Sequence, residues 1–358
     1  MLGLVTVSIR HATPQEILRW DDLVVANPDG GTLYQSAAFA EAKAAGGWRP
    51  IQLIIESGSL SVATLILERR VPLLGRIWYS PTGPGFVSAD DLAAVIPELG
   101  RFARAAGVFL VKLESELADG PESRSTLASV GLVKVADVQP ISSTVVIDLT
   151  PSAEEILARM PQKGRYAIRK AARDGVTVAE VELTDDVVDR MYALLKNTGD
   201  TSGFAVRPQA YYTRFWRLFG DRGQGRMFFA YVDGEVVAGA FSAWLGTKAW
   251  YKDGASIRER KAYGASHALQ WYIIEWHKQR GIATSYDMMG APPSDRLSDQ
   301  SHPLHGIGVF KTSFSLTVTD RTGTWDLVID PRAAGLWNRI GYRVAGKLSR
   351  TLRGEVYF

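Results

Sequence analysis

Two halves of this chain carry the same order of patterns, and that repeat constrains the fold more than any other feature of the sequence. Residues 14–25 and 36–46 read as short amphipathic helices, the second closed by Gly46. Strand patterns follow at 51–57, 61–71 and 75–83, then a helix over 90–107 and a buried strand over 108–115. TVVIDL (144–149) begins the order again. It continues through helices at 152–174, 184–198 and 208–220, strands at 226–234, 235–246 and 248–256, a helix at 264–280 and a strand at 283–290. Helix–helix–strands–helix–strand thus occurs twice, roughly 170 residues apart. A chain of 358 residues has the length of two domains of roughly 100–200 residues each. The boundary falls near Asp148-Leu149-Thr150-Pro151, and a basic amphipathic C-terminal helix must dock back on one of the units.

Composition removes several classes of chemistry. With no cysteine, the chain has no disulfide, thiolate zinc site or cysteine nucleophile. Lys plus Arg number 41 against 38 Asp plus Glu, so a nucleic-acid contact would be local rather than general. The N-terminal apolar run is too short for a signal peptide. The longest apolar tract, 228–246, is broken by Asp233 and Glu235 and cannot span a bilayer. These features predict a cytoplasmic protein and leave reversible attachment to a membrane surface open.

Within helix 152–174, which opens with the capping pair Ser152 and Glu155, Arg165, Arg169 and Arg173 share one face. Lys163 and Lys170 lie close by. Like charges on one helix repel, so this face is either solvated or turned to a polyanion. A second basic helix carries Arg339, Arg343, Lys347 and Arg350. Arg207 and Tyr211, four apart at a helix start marked by Pro208, could grip a carboxylate or phosphate, or the arginine could pair with a nearby acid. Lys261-x-x-Gly264-x-Ser266 is a degenerate version of a phosphate-cradling turn. His302-x-x-His305 has no third metal ligand in view, and no Gly-x-Ser-x-Gly elbow occurs. In HGIGVFKTSF (305–314), which reads as a strand entering a core, Lys311 interrupts an apolar run; pattern alone makes it a strand-end lysine that snorkels to solvent.

The order and spacing of WYKDGAS (250–256), YGASHALQWYIIEWHKQRG (263–281), YDMMG (286–290) and GIGVFKTSF (306–314) resemble the Fem family (FemABX-type) of aminoacyl-tRNA-dependent aminoacyltransferases. YQSAAFAEAKAAGGWRP, WYSPTGPG, the basic helix and RPQAYY extend the resemblance to both halves. It implies an α/β chain of two tandem acetyltransferase-like (GNAT) domains, each a mixed twisted sheet flanked by helices. The first would be 1–148 completed by the C-terminal segment 317–358, the second 149–316. Members transfer an amino acid from charged tRNA to an amine, usually on the stem peptide of a peptidoglycan precursor, UDP-linked or lipid-linked. Carried over by position, Lys43 and Arg207 would hold the precursor's phosphates, with Tyr211 and Tyr251 lining the same cleft. Lys311, in the pair Phe310-Lys311, would sit at the reacting centre. Glu114 falls where the family often has an aspartate followed by proline, whereas Ser115 follows here. Lys163, Arg165, Arg169, Lys170 and Arg173 would bind the tRNA acceptor backbone. Ser315 and Met288-Met289 depart from the family pattern, and no room exists for the coiled-coil arm of some members.

An aminoacyl ester is already activated, so such a transfer needs no cofactor, metal or covalent nucleophile, and the protein would act as a monomer. It requires placement of the amine and stabilisation of an oxyanion. Three alternatives share these features: a tRNA-dependent enzyme acting on a small natural-product amine, an acyl-CoA-dependent N-acyltransferase, and a non-catalytic binding module.

Overall fold

The computed structural model describes residues 6–202, 206–257, 263–353 and 357–358. It divides into two compact units, Met1–Ser142 with Asp320–Phe358, and Ser143–Thr319.

The first unit runs β1 (Val7–His11), α1 (Pro14–Leu18), α2 (Trp20–Val25), α3 (Ala37–Ala45), β2 (Arg49–Ser57), β3 (Leu60–Val71), β4 (Gly75–Ser80), α4 (Ala89–Ala105), β5 (Val108–Leu113), α5 (Pro121–Ser129) and β6 (Leu132–Lys134). The second runs β7 (Ser143–Asp148), α6 (Ala153–Arg159), α7 (Gln162–Arg173), β8 (Thr177–Val181), α8 (Asp185–Ser202), α9 (Gln209–Asp221), β9 (Gly225–Val232), β10 (Glu235–Leu245), β11 (Lys248–Ser256), α10 (Ala265–Gln279), β12 (Ser285–Gly290), α11 (His305–Lys311) and β13 (Thr319–Asp320). The C-terminal segment returns to the first unit as β14 (Trp325–Val328), α12 (Pro331–Leu336), a π-helical turn (Trp337–Gly341) and α13 (Tyr342–Arg353).

The two seven-stranded sheets share a plan. Their orders are β1-β2-β3-β4-β5-β14-β6 and, read in the same sense, β8-β9-β10-β11-β12-β7-β13. An antiparallel meander leads in each to one parallel pair, β4 with β5 and β11 with β12. A parallel pair needs a crossover, and the long helices α4 and α10 supply it. The place beside the last parallel strand is filled by β14 in the first sheet and by β7 in the second. Local sequence explains the pieces. Asp233 and Gly234, both at positive φ, make the tight β9–β10 hairpin. Ser88 caps α4, whose Leu92, Val95, Ile96 and Leu99 bury one face on the first sheet. The Ser152–Glu155 capping box opens α6.

Three sequence expectations change. Residues 152–174 are not one helix, because the extended backbone at Met160 and Pro161 parts α6 from α7. Residues 14–25 are not one helix, because the backbone breaks at Arg19. Residues 305–311 are helix rather than strand. A short apolar run between glycines fits either period. The helix wins because Gly308 packs against Pro292, where a Cβ would come within 2.6 Å of the proline ring.

Buried histidines give the second unit a pH signature. His277 is fully buried on α10, with Nε2 2.8 Å from Ser242 Oγ. Burial, with Arg280 nearby, lowers its pKa to about 3; burial and the Lys163 charge lower that of His267 to about 4. The unfolded chain binds these protons near pH 6.5, so stability present above that pH is lost as pH falls toward 4. Thermal unfolding between pH 7 and 5 should show a loss of about 3 kcal/mol, and His277→Gln should flatten the slope.

Candidate active site

The parallel strands β11 and β12 pair only over Lys248–Trp250 with Ser285–Asp287. Beyond that point β12 runs on through Met289, at φ 60°, with a register shift against β7. The main-chain carbonyls of Met289 and Gly290 find their donor in Lys311, whose Nζ lies 3.0 and 2.7 Å away. Lys311 ends α11 and is only 8% exposed, so it does not snorkel to solvent. Burial pushes its ammonium down to about 8, against the pull of Asp287. An ammonium has three N–H donors, and no protein acceptor takes the third among the described residues. Tyr251 stands beside it, its ring centroid 5.8 Å from Nζ. Burial and Asp253 hold the Tyr251 phenol above its usual value, so it stays neutral. Gly254 makes room for that ring, since a Cβ there would collide with it.

Phe310 packs edge-on to His267, with centroids 4.9 Å apart, and Phe314 stacks on the same imidazole at 5.5 Å. His267 Nε2 lies 3.1 Å from Ser313 Oγ. Helix α7 presses on this turn through Gly164, where a Cβ would come 2.0 Å from the Ser313 carbonyl oxygen. A glycine inside a helix costs about 1 kcal/mol against alanine, and this contact is what requires it. Gly164→Ala should therefore cost about 2 kcal/mol or more and loosen the segment that carries Lys311. Urea unfolding together with a turnover assay would register both effects.

The inward face of α7 is Gly164, Ala167, Ile168 and Ala171, which turns Lys163, Arg169 and Arg173 outward. Together with Gln162, Arg165 and the exposed Tyr166, these arginines line a surface groove of about 660 Å³. The five cations are not equivalent. Arg165 donates to the carbonyls of Ala158 and Met160, at 2.8 and 2.6 Å, closing the end of α6. Lys170 pairs with Asp174 at 2.5 Å. The lowered pKa of His267, to which Lys163 contributes, ties this helix electrically to the Lys311 turn.

A bulge in β11 links Lys311 to a second cluster. The β10–β11 register slips between Phe241 and Ser242, whose strand partners are Asp253 and Tyr251. Asp253 accepts from Trp216 Nε1 of α9 at 2.9 Å and from Lys252 at 3.1 Å. At the start of that helix the Arg207 guanidinium stacks on the Tyr211 ring, 4.5 Å from its centroid. Pro208 is the cap residue rather than the first helical one. Sequence reading passed over Asp287, His267, Gly164, Lys252 and Asp253; of these only Gly164, a glycine between two cations in a helix, carried a visible signal.

The remaining candidates belong elsewhere. Lys43 lies on α3 of the first unit, over the Phe39 ring at 5.4 Å. Glu114 is 6% exposed in the same unit. One oxygen accepts from Tyr79 Oη at 2.5 Å, the other from the Gln139 amide at 3.1 Å and Thr324 Oγ1 at 3.2 Å. Burial raises its pKa despite these donors. Through Thr324, Glu114 ties the C-terminal segment to Tyr79 and Gln139 of the first unit. Lys261 lies outside the described residues. His302 accepts the Leu304 amide at Nδ1, and among the described residues no cluster of three or more His, Asp or Glu could hold a metal. No described helix is long and apolar enough to cross a membrane.

Two mixed sheets of this plan, with a splayed parallel pair, define tandem acetyltransferase-fold units. Residues 158–295 match the acetyltransferase (GNAT) domain model. The chain is 21% identical to the lipid II:glycine glycyltransferase of Staphylococcus aureus strain MRSA252 over an alignment of 426 positions, covering 96% of this chain and 99% of that protein. The crystal structure of FemX superposes with a TM-score of 0.77 at 18% identity, covering 93% of this chain and 99% of that one. The structure of L-PGS from Bacillus licheniformis gives 0.53 at 14% identity, over 94% and 98%. Over nearly its whole length the chain is thus similar to FemX and to a lipid II:glycine glycyltransferase, in line with the resemblance its motifs carry.

Proposed function

We propose that the protein transfers an aminoacyl group from aminoacyl-tRNA to an amine on the stem peptide of a peptidoglycan precursor. The observation that carries this reading is the buried Lys311 ammonium in the β11–β12 splay, with one N–H left for a substrate oxygen. The full-length similarity to a glycyltransferase acting on lipid II supports the acceptor class. In the transfer, the neutral amine attacks the ester carbon and forms the C–N bond. Lys311 stabilises the oxyanion by charge, which counts for more in an apolar setting than in water. The C–O bond to the ribose then breaks, and the leaving oxygen takes the proton released by the attacking nitrogen. Phe310 holds the turn against His267. Lys163, Arg169 and Arg173 follow the acceptor backbone of the tRNA, a task that needs cations and little base reading. Arg207, stacked on Tyr211, holds a precursor phosphate on the second unit; Tyr251 closes the reacting centre, and Lys43 is assigned to phosphate by the resemblance alone.

The test is a screen of charged tRNAs against a UDP-linked precursor, a lipid-linked precursor and small amines. Amide formation on a precursor is expected. Transfer confined to small amines would overturn the acceptor assignment.

A further inference from the structure

The two basic helices differ in what accompanies their cations. On α7 the exposed companion is Tyr166. Along the C-terminal segment the companions are aliphatic: Leu336, Ile340 and Val344 are 49%, 57% and 50% exposed, with Tyr342 at 49%. Four of the fourteen large apolar residues exposed among the described residues thus fall within nine positions. Leu336, Ile340 and Val344 recur every fourth residue, and the exposed Arg339, Arg343 and Lys347 run alongside at the same interval. The opposite side is the one that docks. Ala334 and Trp337 are buried, Ala345 and Gly346 are half-buried, and Ser349 is buried. Between Pro331 and Arg353 the sequence has six Lys or Arg and no Asp or Glu.

We propose that residues 331–353 form a membrane-surface helix that docks the protein on an anionic bilayer. A helix of this kind lies in the interface with its apolar side chains at the acyl boundary and its cations among anionic headgroups. Charge complementarity selects that occupant: RNA phosphates would use the arginines and give nothing to Leu336, Ile340 and Val344, whereas a bilayer uses both stripes. Each cation contributes about fivefold to binding at an anionic surface. Resting on the proposed function, the helix favours a lipid-linked precursor over a soluble one as acceptor.

The experiment is co-sedimentation of the full chain with vesicles of phosphatidylcholine alone or mixed in equal parts with phosphatidylglycerol. The wild type is expected to sediment with the mixed vesicles and far less with the neutral ones. Ile340→Glu with Val344→Glu should lower binding at least about tenfold, Arg339→Ala with Arg343→Ala about fivefold per residue, and Ile340→Leu with Val344→Leu should leave it intact. Far-UV circular dichroism should match the wild type for all three, because every altered side chain is exposed. Failure of the wild type to sediment with mixed vesicles, or unchanged binding by the double glutamate variant, overturns the proposal. So does a double glutamate variant that loses only a concentration-dependent dimer or only tRNA affinity. In transfer assays that variant should be impaired toward vesicle-embedded precursor and normal toward soluble precursor. If the wild type modifies neither acceptor, the transfer reading fails, while sedimentation still decides the docking.

Discussion

Replacing Lys311 with methionine is expected to lower kcat about 100- to 1,000-fold, the usual consequence of removing one preorganised oxyanion donor. Methionine approximates the apolar stem of the side chain, one heavy atom shorter, and removes the ammonium with its N–H groups. The structural cost should be small, because two opposed effects accompany the change. The carbonyls of Met289 and Gly290 lose a donor, while the protein is relieved of a buried ammonium whose pKa is pushed down to about 8. The affinity for tRNA should be preserved, since the outward cations of α7 are untouched. Sign follows from the same shift. The ammonium form is the active one, so in the wild type the rate should fall as pH rises through about 8. Lys311→Arg keeps its charge over that range and should lose the falling limb, at whatever rate its bulkier group allows. Stopped-time transfer assays across pH, with a filter-binding control for tRNA, would check both statements. A Lys311→Met enzyme with wild-type turnover would remove the lysine from the chemistry.

The second large effect is on stability. Glu114→Ala should destabilise the first unit by about 3 kcal/mol, because it strands three donors that are now satisfied. Tyr79 Oη, the Gln139 amide and Thr324 Oγ1 all converge on this carboxylate. Thr324 lies just before β14, so the variant loosens the attachment of the C-terminal segment. For a unit of this size such a loss lowers Tm by about 6–12 °C. Since burial raises the carboxyl's pKa, its contribution is greatest at low pH and falls as pH rises through the folded value. Glu114→Gln, which retains an acceptor oxygen, should cost less. Below the transition both variants should turn over near the wild-type rate per folded molecule. Calorimetry paired with kinetics separates this strut from a catalytic group, whose loss would reduce turnover with Tm unchanged.

The repeated order of elements was legible because long amphipathic helices and hairpin turns are local properties. The pattern at 90–107 and the Asp233-Gly234 turn needed nothing from the rest of the chain. The nearness of Arg207 and Tyr211 was legible for the same reason, though not their stacking, as was the shared face of Arg165, Arg169 and Arg173. Lys311 was misplaced as a strand because its partners are main-chain carbonyls of another segment, which leave no mark on side-chain pattern. The partners of Glu114 were hidden for a related reason, since Thr324 returns from 210 positions away. The unequal standing of the α7 cations also escaped sequence reading. Arg165 is committed to the α6 carbonyls, a pairing that spacing alone could not show.

A direct test of the central claim compares acyl donors. Purified protein would be given a peptidoglycan precursor together with either radiolabelled aminoacyl-tRNA or radiolabelled acetyl-CoA. Label should reach the precursor from the charged tRNA and fail to do so when Lys311 is methionine. Label arriving from acetyl-CoA alone would contradict the account and make the protein an acyl-CoA-dependent N-acyltransferase.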